Sequence, residues 1–203
     1  IMSGAVAERM RFGSYLIFAA MLSGVIYPLF GHWCWGGAYT DEYTGWLGKM
    51  GFRDFAGSSV VHCIGGWVAL AVVIVIGPRT GRYPKDGPPQ KIQGSNYPLA
   101  LLGALILWFG WIGFNGGSAL GLTDEVPLII VRTMIAGASG MLAAVAIGWQ
   151  RDGLPETKHV MNGTLAGLVA ITASCNVVTA PAAAAIGAIG AVCMLVAETL
   201  MEK

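Results

Sequence analysis

Long apolar runs alternate with short polar stretches along the whole chain. The runs fall at about residues 13–36, 56–77, 98–118, 126–149, 160–178 and 181–200. Each has, or approaches, the roughly 20 mostly apolar residues that a bilayer-spanning helix needs. The pattern predicts an all-α integral membrane protein, a polytopic bundle with six transmembrane helices in this chain. The fifth run is the weakest alone, because Asn162, Thr164, Thr172 and Ser174 interrupt it. Between the runs lie a loop at 37–55, a Pro- and Gly-rich polar loop at 78–97, and links near 119–125 and 150–159. A Pro-containing turn near 178–181 separates the last two. The opening IMSGAVAERMRF has neither the charged start nor the cleavage site of a signal peptide. Its first residues read as the tail of an earlier hydrophobic helix, so 1–203 is expected to be one partial transmembrane domain.

Composition agrees with that pattern. Of 203 residues, 55% are apolar and 11% charged, less than half the roughly 25% charged content of soluble domains. Mean hydropathy is +0.65. The net charge of +1 gives no basic field for nucleic acid. Cys34, Cys63, Cys175 and Cys193 have no metal-ligand spacing, and cysteines scattered on apolar stretches read as small buried hydrophobes. No nucleophile–base pair, metal cluster or phosphate loop stands out, so the sequence points to neither an enzyme nor a cofactor.

Charge changes the picture by giving the bundle a direction. Lys and Arg in short loops set membrane orientation. Arg9 and Arg11, then Arg79, Arg82, Lys85 and Lys91, then Arg151 and Lys158, and finally Lys203 share one side when six helices alternate. The other side holds only Lys49 and Arg53. Residues 78–97 and 150–159 are therefore expected in the cytoplasm, and residues 37–55 outside. Small residues recur every four positions within the runs, at Ala136, Gly140, Ala144 and Gly148 and at Gly163 and Gly167. That spacing lets membrane helices approach closely.

Polar residues inside spans are the candidate chemistry. His62 is the one histidine read as deep within a run, and Asp54 stands at the outer start of the same run. Eight helical residues would separate them by roughly 12 Å. Burial favours a neutral imidazole, which suits either a hydrogen-bonding conduit or a simple tie between helices. Asp54 reads as a helix cap or a ligand. Trp111, Phe114, Asn115 and Ser118 share one helical face. HWCWGG brings Trp33 and Trp35 to the outer end of the first run. Such tryptophans are either interface anchors or, beside a hydroxyl such as Ser118, a cation site.

The run DFAGSSVVHCIGGWVALAVVIVIGPR, Asp54 to Arg79, resembles the signature of the ammonium transporter (Amt/Rh) family. AERMRF (7–12), HWCWGG (32–37), GWIGFNGGS (110–118) and NGTLAGLVAITASC (162–175) resemble further family blocks, in the family's order. Together they cover essentially the whole chain. The resemblance implies an eleven-helix bundle with an inverted repeat, assembled as a homotrimer with one pore per subunit. This chain would supply the end of helix 3 through helix 9. Trp35 and Ser118 match an outer ammonium recruitment site, and that pair favours the ammonium transporter branch over the Rh branch. Asp54 matches the acid near the vestibule, His62 the first of two pore histidines, and Trp111 and Phe114 aromatics of the vestibule and pore. The remaining pore residues, a second histidine among them, would lie outside the chain. The implied partners are ammonium or ammonia, the lipid bilayer and a cytoplasmic nitrogen-regulatory protein. A membrane domain that senses ammonium for a fused signalling module is the alternative. Arg132 stands where the resemblance leads one to expect a small polar residue. Snorkelling to the interface is the only reading the sequence offers for it.

Overall fold

The computed structural model describes residues 1–40, 42–90 and 92–201. Lys91 and Lys203, both counted in the charge asymmetry, lie outside the described residues. Among the described residues all regular structure is helical. Five helices are long and apolar enough to cross a membrane: Phe12–Trp35, Ser58–Ile76, Tyr97–Gly117, Val126–Asp152 and Ala180–Met201. They start and stop within about three residues of five of the six runs. The chain divides into two compact units, Ile1–Arg53 with Ser59–Ser95, and Asp54–Ser58 with Asn96–Lys203.

In the first unit, α1 (Met2–Val6) lies against α5 (Ile64–Ile76), and Met2 and Val6 bury themselves on Ala69 and Val72. The Arg9 guanidinium donates to the carbonyls of Ala5 and Gly77, closing the ends of both helices. The first long span is α2 (Phe12–Met21), a π-helical segment (Leu22–Ile26) and α3 (Tyr27–Trp35). Pro28 has no N–H for the preceding turn and its ring crowds that turn, which accounts for the widening just before it. A short helix, α4 (Trp46–Lys49), lies within the 37–55 loop. There the Arg53 guanidinium sits 4.2 Å over the Tyr43 ring.

The second unit contains α6 (Tyr97–Gly117), α7 (Val126–Asp152), α8 (Thr157–Ile171) and α9 (Ala180–Met201). Asn96 caps α6 by accepting the Leu99 N–H at 2.9 Å. Gly153, at φ +77°, closes α7 in the left-handed conformation that glycine adopts without strain. The small-residue stripe of α7 faces α8. A Cβ on Gly140 would stand 2.5 Å from the Gly163 carbonyl oxygen and 2.9 Å from the Gly167 Cα. Gly148 backs onto the His159 ring, whereas Ala136 faces Gly167, so α8 runs antiparallel to α7. Gly187 of α9 also meets Ala136, and Arg151 reaches Glu198, so α9 runs parallel to α7. The fully buried Ala136 is thus the point where three helices close on one another.

Three expectations need correction. The 160–178 run is not one membrane-length helix: α8 stops at Ile171 after 15 residues, a rise of about 22 Å. Hydrogen bonds from distant residues end it, as described below. The 150–159 link is shorter than expected, because α7 continues to Asp152 and α8 begins at Thr157. His159, expected in the link, therefore lies on the first turn of α8 and is 1% exposed. Around His159, Arg151 pairs with Asp152 at 2.8 Å and Lys158 with Glu198 at 3.2 Å, and the His159 ring meets Asp152 at 3.4 Å. Burial disfavours the Lys158 charge, but Glu198 and Glu156 outweigh it and hold the ammonium above the ordinary lysine range. Of the cysteines, Cys34 and Cys175 are buried as expected, while Cys63 and Cys193 are exposed on helix faces.

Candidate functional site

The chain approaches the second long span through a sharp turn at Asp54–Gly57. Asp54, 4% exposed, turns one carboxylate oxygen toward the N–H groups of Gly57 and Ser58, at 2.9 and 2.8 Å. Those N–H groups open the following helix and have no partner within it. Gly57 has φ +111°, a conformation other residues avoid. Asp54 is thus a cap for the span. The helix it caps does not begin as an α-helix, since Ser58–Cys63 is π-helical. His62 lies in that segment and is partly buried. The eight-residue α-helical spacing expected between Asp54 and His62 does not hold, because residues 54–57 are not helical.

The Asp54 turn is bound to the end of α8. Phe55 N–H donates to the Ala173 carbonyl at 2.9 Å, and Ala56 N–H to the Thr172 carbonyl at 3.1 Å. Ser58 Oγ donates to the Val169 carbonyl at 2.8 Å. The Thr172 hydroxyl donates to Leu168 O at 2.6 Å and accepts the Trp111 indole N–H at 2.9 Å. Arg132 of α7 donates to the carbonyls of Cys175 and Asn176 at 3.1 and 2.8 Å. These contacts use carbonyls that a longer α8 would have needed for its own ladder. They also correct the snorkelling reading of Arg132, whose guanidinium turns onto this turn instead.

The face of α6 expected from spacing exists, and it is graded. Trp111 and the fully buried Asn115 form its inner edge. Asn115 donates to Thr133 Oγ1 at 3.0 Å, and Thr133 in turn donates to Ile129 O. Phe114, 37% exposed, and Ser118 form its open edge. The Trp111 and Phe114 ring centroids are 5.7 Å apart at 46°. Ser118 Oγ donates to the Phe114 carbonyl at 2.7 Å, which leaves the hydroxyl oxygen able to accept. Asp54, Trp111, Phe114 and Ser118 therefore belong to one unit and are tied together through Thr172 or along α6.

Trp35 and His62 belong to the other unit. Trp35 is the last residue of α3, and its carbonyl accepts the Ala38 N–H at 2.9 Å. Its neighbour Trp33 meets Phe30 at a 55° tilt and Trp46 edge-on, at 5.9 and 5.8 Å between centroids. Trp46, Thr133 and Thr172, which touch Trp33, Asn115 and Trp111, were not singled out from the sequence. Thr172 was visible only as a polar residue weakening an apolar run, and nothing in its neighbourhood signals a partner 61 positions away.

Thr172→Val removes the acceptor for a buried indole N–H and is expected to destabilise the protein by about 1–3 kcal/mol. Thermal unfolding of the purified full-length protein checks this.

A family model for the Ammonium Transporter Family matches residues 1–203. A Synechocystis sp. relative is 55% identical over the whole chain, which covers 38% of that protein. The ammonium transporter Amt2 of Archaeoglobus fulgidus is 49% identical over 86% of this chain and 38% of its own length. A solved structure of a sensor Amt protein superposes with a TM-score of 0.95 at 45% identity, covering all of this chain and 50% of that one. The chain thus spans between 38% and 50% of these relatives. With five membrane-length apolar helices among the described residues, it is part of a multi-pass membrane protein. The chain belongs to the ammonium transporter family.

Proposed function

We propose that the full-length protein carries ammonium, or ammonia with or without its proton, across a membrane. The observation that carries this reading is the family match over every residue of the chain. Trp35 offers its aromatic face to the cation and Ser118 its hydroxyl oxygen. Asp54 holds the outer mouth in shape and adds negative potential there. A bare charge is too costly for a dry constriction, so the ion gives up its proton, which is relayed separately or left with water outside, and the neutral molecule passes His62. Trp111 and Phe114 line the approach. Selectivity follows from requiring a cation at the mouth and a small hydrogen-bonding molecule in the pore. Loop 37–55 faces outward, residues 78–97 and the 150–159 region face the cytoplasm, and three copies assemble. A cytoplasmic nitrogen-regulatory protein is the partner this orientation accommodates.

Proteoliposomes holding the full-length protein test the reading. Ammonium pulses are expected to evoke a current or an internal pH change that sodium and potassium pulses do not. No response to ammonium above that of empty liposomes would refute it.

A second reading has its own support, the 0.95 TM-score to a sensor Amt protein. In that case the same membrane domain reports ammonium to a signalling module. The sequence beyond Lys203 discriminates, through a short tail or a kinase or cyclase domain.

A further inference from the structure

We propose that Arg132 is a positioning residue for the outer mouth. It would fix the turn that follows α8 and, through that turn, the Asp54 segment and Trp111. This rests on the transport reading above but adds a residue and a role that neither the motifs nor the resemblance supplied.

Past Ile171 the chain leaves α8 as a turn whose carbonyls at Thr172, Ala173, Cys175 and Asn176 are taken by distant residues. Two of them, on Cys175 and Asn176, accept from a single guanidinium nitrogen of Arg132. Two others, on Thr172 and Ala173, accept the N–H groups of Ala56 and Phe55. The Thr172 side chain holds the Trp111 indole. The same five-residue turn is therefore gripped on one side by Arg132 and carries two proposed site elements on the other. Arg132 is partly buried and bonds carbonyl dipoles. The next residue on α7, Thr133, holds Asn115 of the same α6 face as Trp111. One turn of α7 thus fastens both the α8 turn and α6. A neutral side chain of similar length would fill the space without making either carbonyl bond.

A second role for the same charge gives the opposite sign. If Arg132 merely repelled cations, removing it would tighten ammonium binding, most strongly at low salt. Positioning predicts weaker binding with little salt dependence. Arg132→Lys separates them further, since it keeps the charge but cannot bridge two carbonyls as a planar guanidinium does.

The test uses the full-length protein in lipid nanodiscs and liposomes, with Arg132→Met and Arg132→Lys. Amide hydrogen exchange at Phe55 and Ala56 is expected to speed up about tenfold or more in Arg132→Met and less in Arg132→Lys, if the turn loosens locally. The half-saturating ammonium concentration is expected to rise about three- to tenfold in Arg132→Met, with an intermediate rise in Arg132→Lys. The double variant with Thr172→Val should show a non-additive shift, because both act through one turn. Unchanged exchange at Phe55 and Ala56 would overturn the proposal. So would faster exchange with an unaltered or lowered half-saturating concentration. If Arg132→Met does not fold, Arg132→Lys decides by the same two readings. Should the unmodified protein pass no ammonium, the transport reading fails, while the exchange arm still decides whether Arg132 holds the turn.

Discussion

Gly167→Leu is expected to leave little folded protein. A Cβ at this position runs into the carbonyl oxygen of Ala136, and the next nearest atoms are also backbone. Side chains can rotate out of a clash, but the backbone of a 27-residue helix can yield only by moving the helix. Gly187 of α9 presses on the same carbonyl, so α7 cannot retreat from α8 without disturbing α9. Lipid tails are as apolar as the helix faces, so close packing rather than water exclusion holds such helices together. We expect a cost above about 3 kcal/mol, beyond ordinary overpacking of a core. The check is the monodisperse yield and thermal midpoint of the full-length variant. Gly113→Ala is the control, since nothing lies within 4 Å of a Cβ there, and it should behave like the unmodified protein.

Asp54→Ala is expected to have the second largest effect, and its comparison with Asp54→Asn separates shape from charge. The alanine leaves the buried N–H of Gly57 and the partly buried N–H of Ser58 without their acceptor at the head of a span. Losing a cap costs about 0.5–2 kcal/mol, and unsatisfied buried donors add about 1–3 kcal/mol. Asparagine keeps an acceptor oxygen in the same place and removes only the charge. Asp54→Asn should therefore unfold near the unmodified protein's temperature, whereas Asp54→Ala should unfold well below it. If both variants lost stability equally, the charge rather than the cap would be the stabilising element.

Much of this arrangement could be read from the sequence, for specific reasons. Five spans were legible because bilayer-length hydrophobicity is local information. The α7 stripe was legible because four-residue spacing on a helix is one face, and Gly140 and Gly148 do face α8. The Gly187 contact with Ala136 was not read, although Ala183, Gly187 and Ala191 repeat the same four-residue spacing and are all buried. The length of α8 was misread because hydropathy records composition and not where carbonyls find partners. Ala56, Phe55 and Arg132, all distant in sequence, supply them. The π-helical segment around His62 was equally hidden, as the residues of Ser58–Cys63 would suit an α-helix. His159 was assigned to a link because its neighbours are charged. Those charges pair with one another and allow the ring to be buried against Gly148.

The most direct test of the central claim is uptake of labelled methylammonium into cells expressing the full-length protein, with Trp35→Leu and His62→Leu beside it. The account predicts saturable uptake that ammonium competes away. It further predicts a raised half-saturating concentration in Trp35→Leu, by about tenfold for a lost cation–π contact, and lost or unselective uptake in His62→Leu. Uptake with unaltered concentration dependence and selectivity in both variants would contradict it.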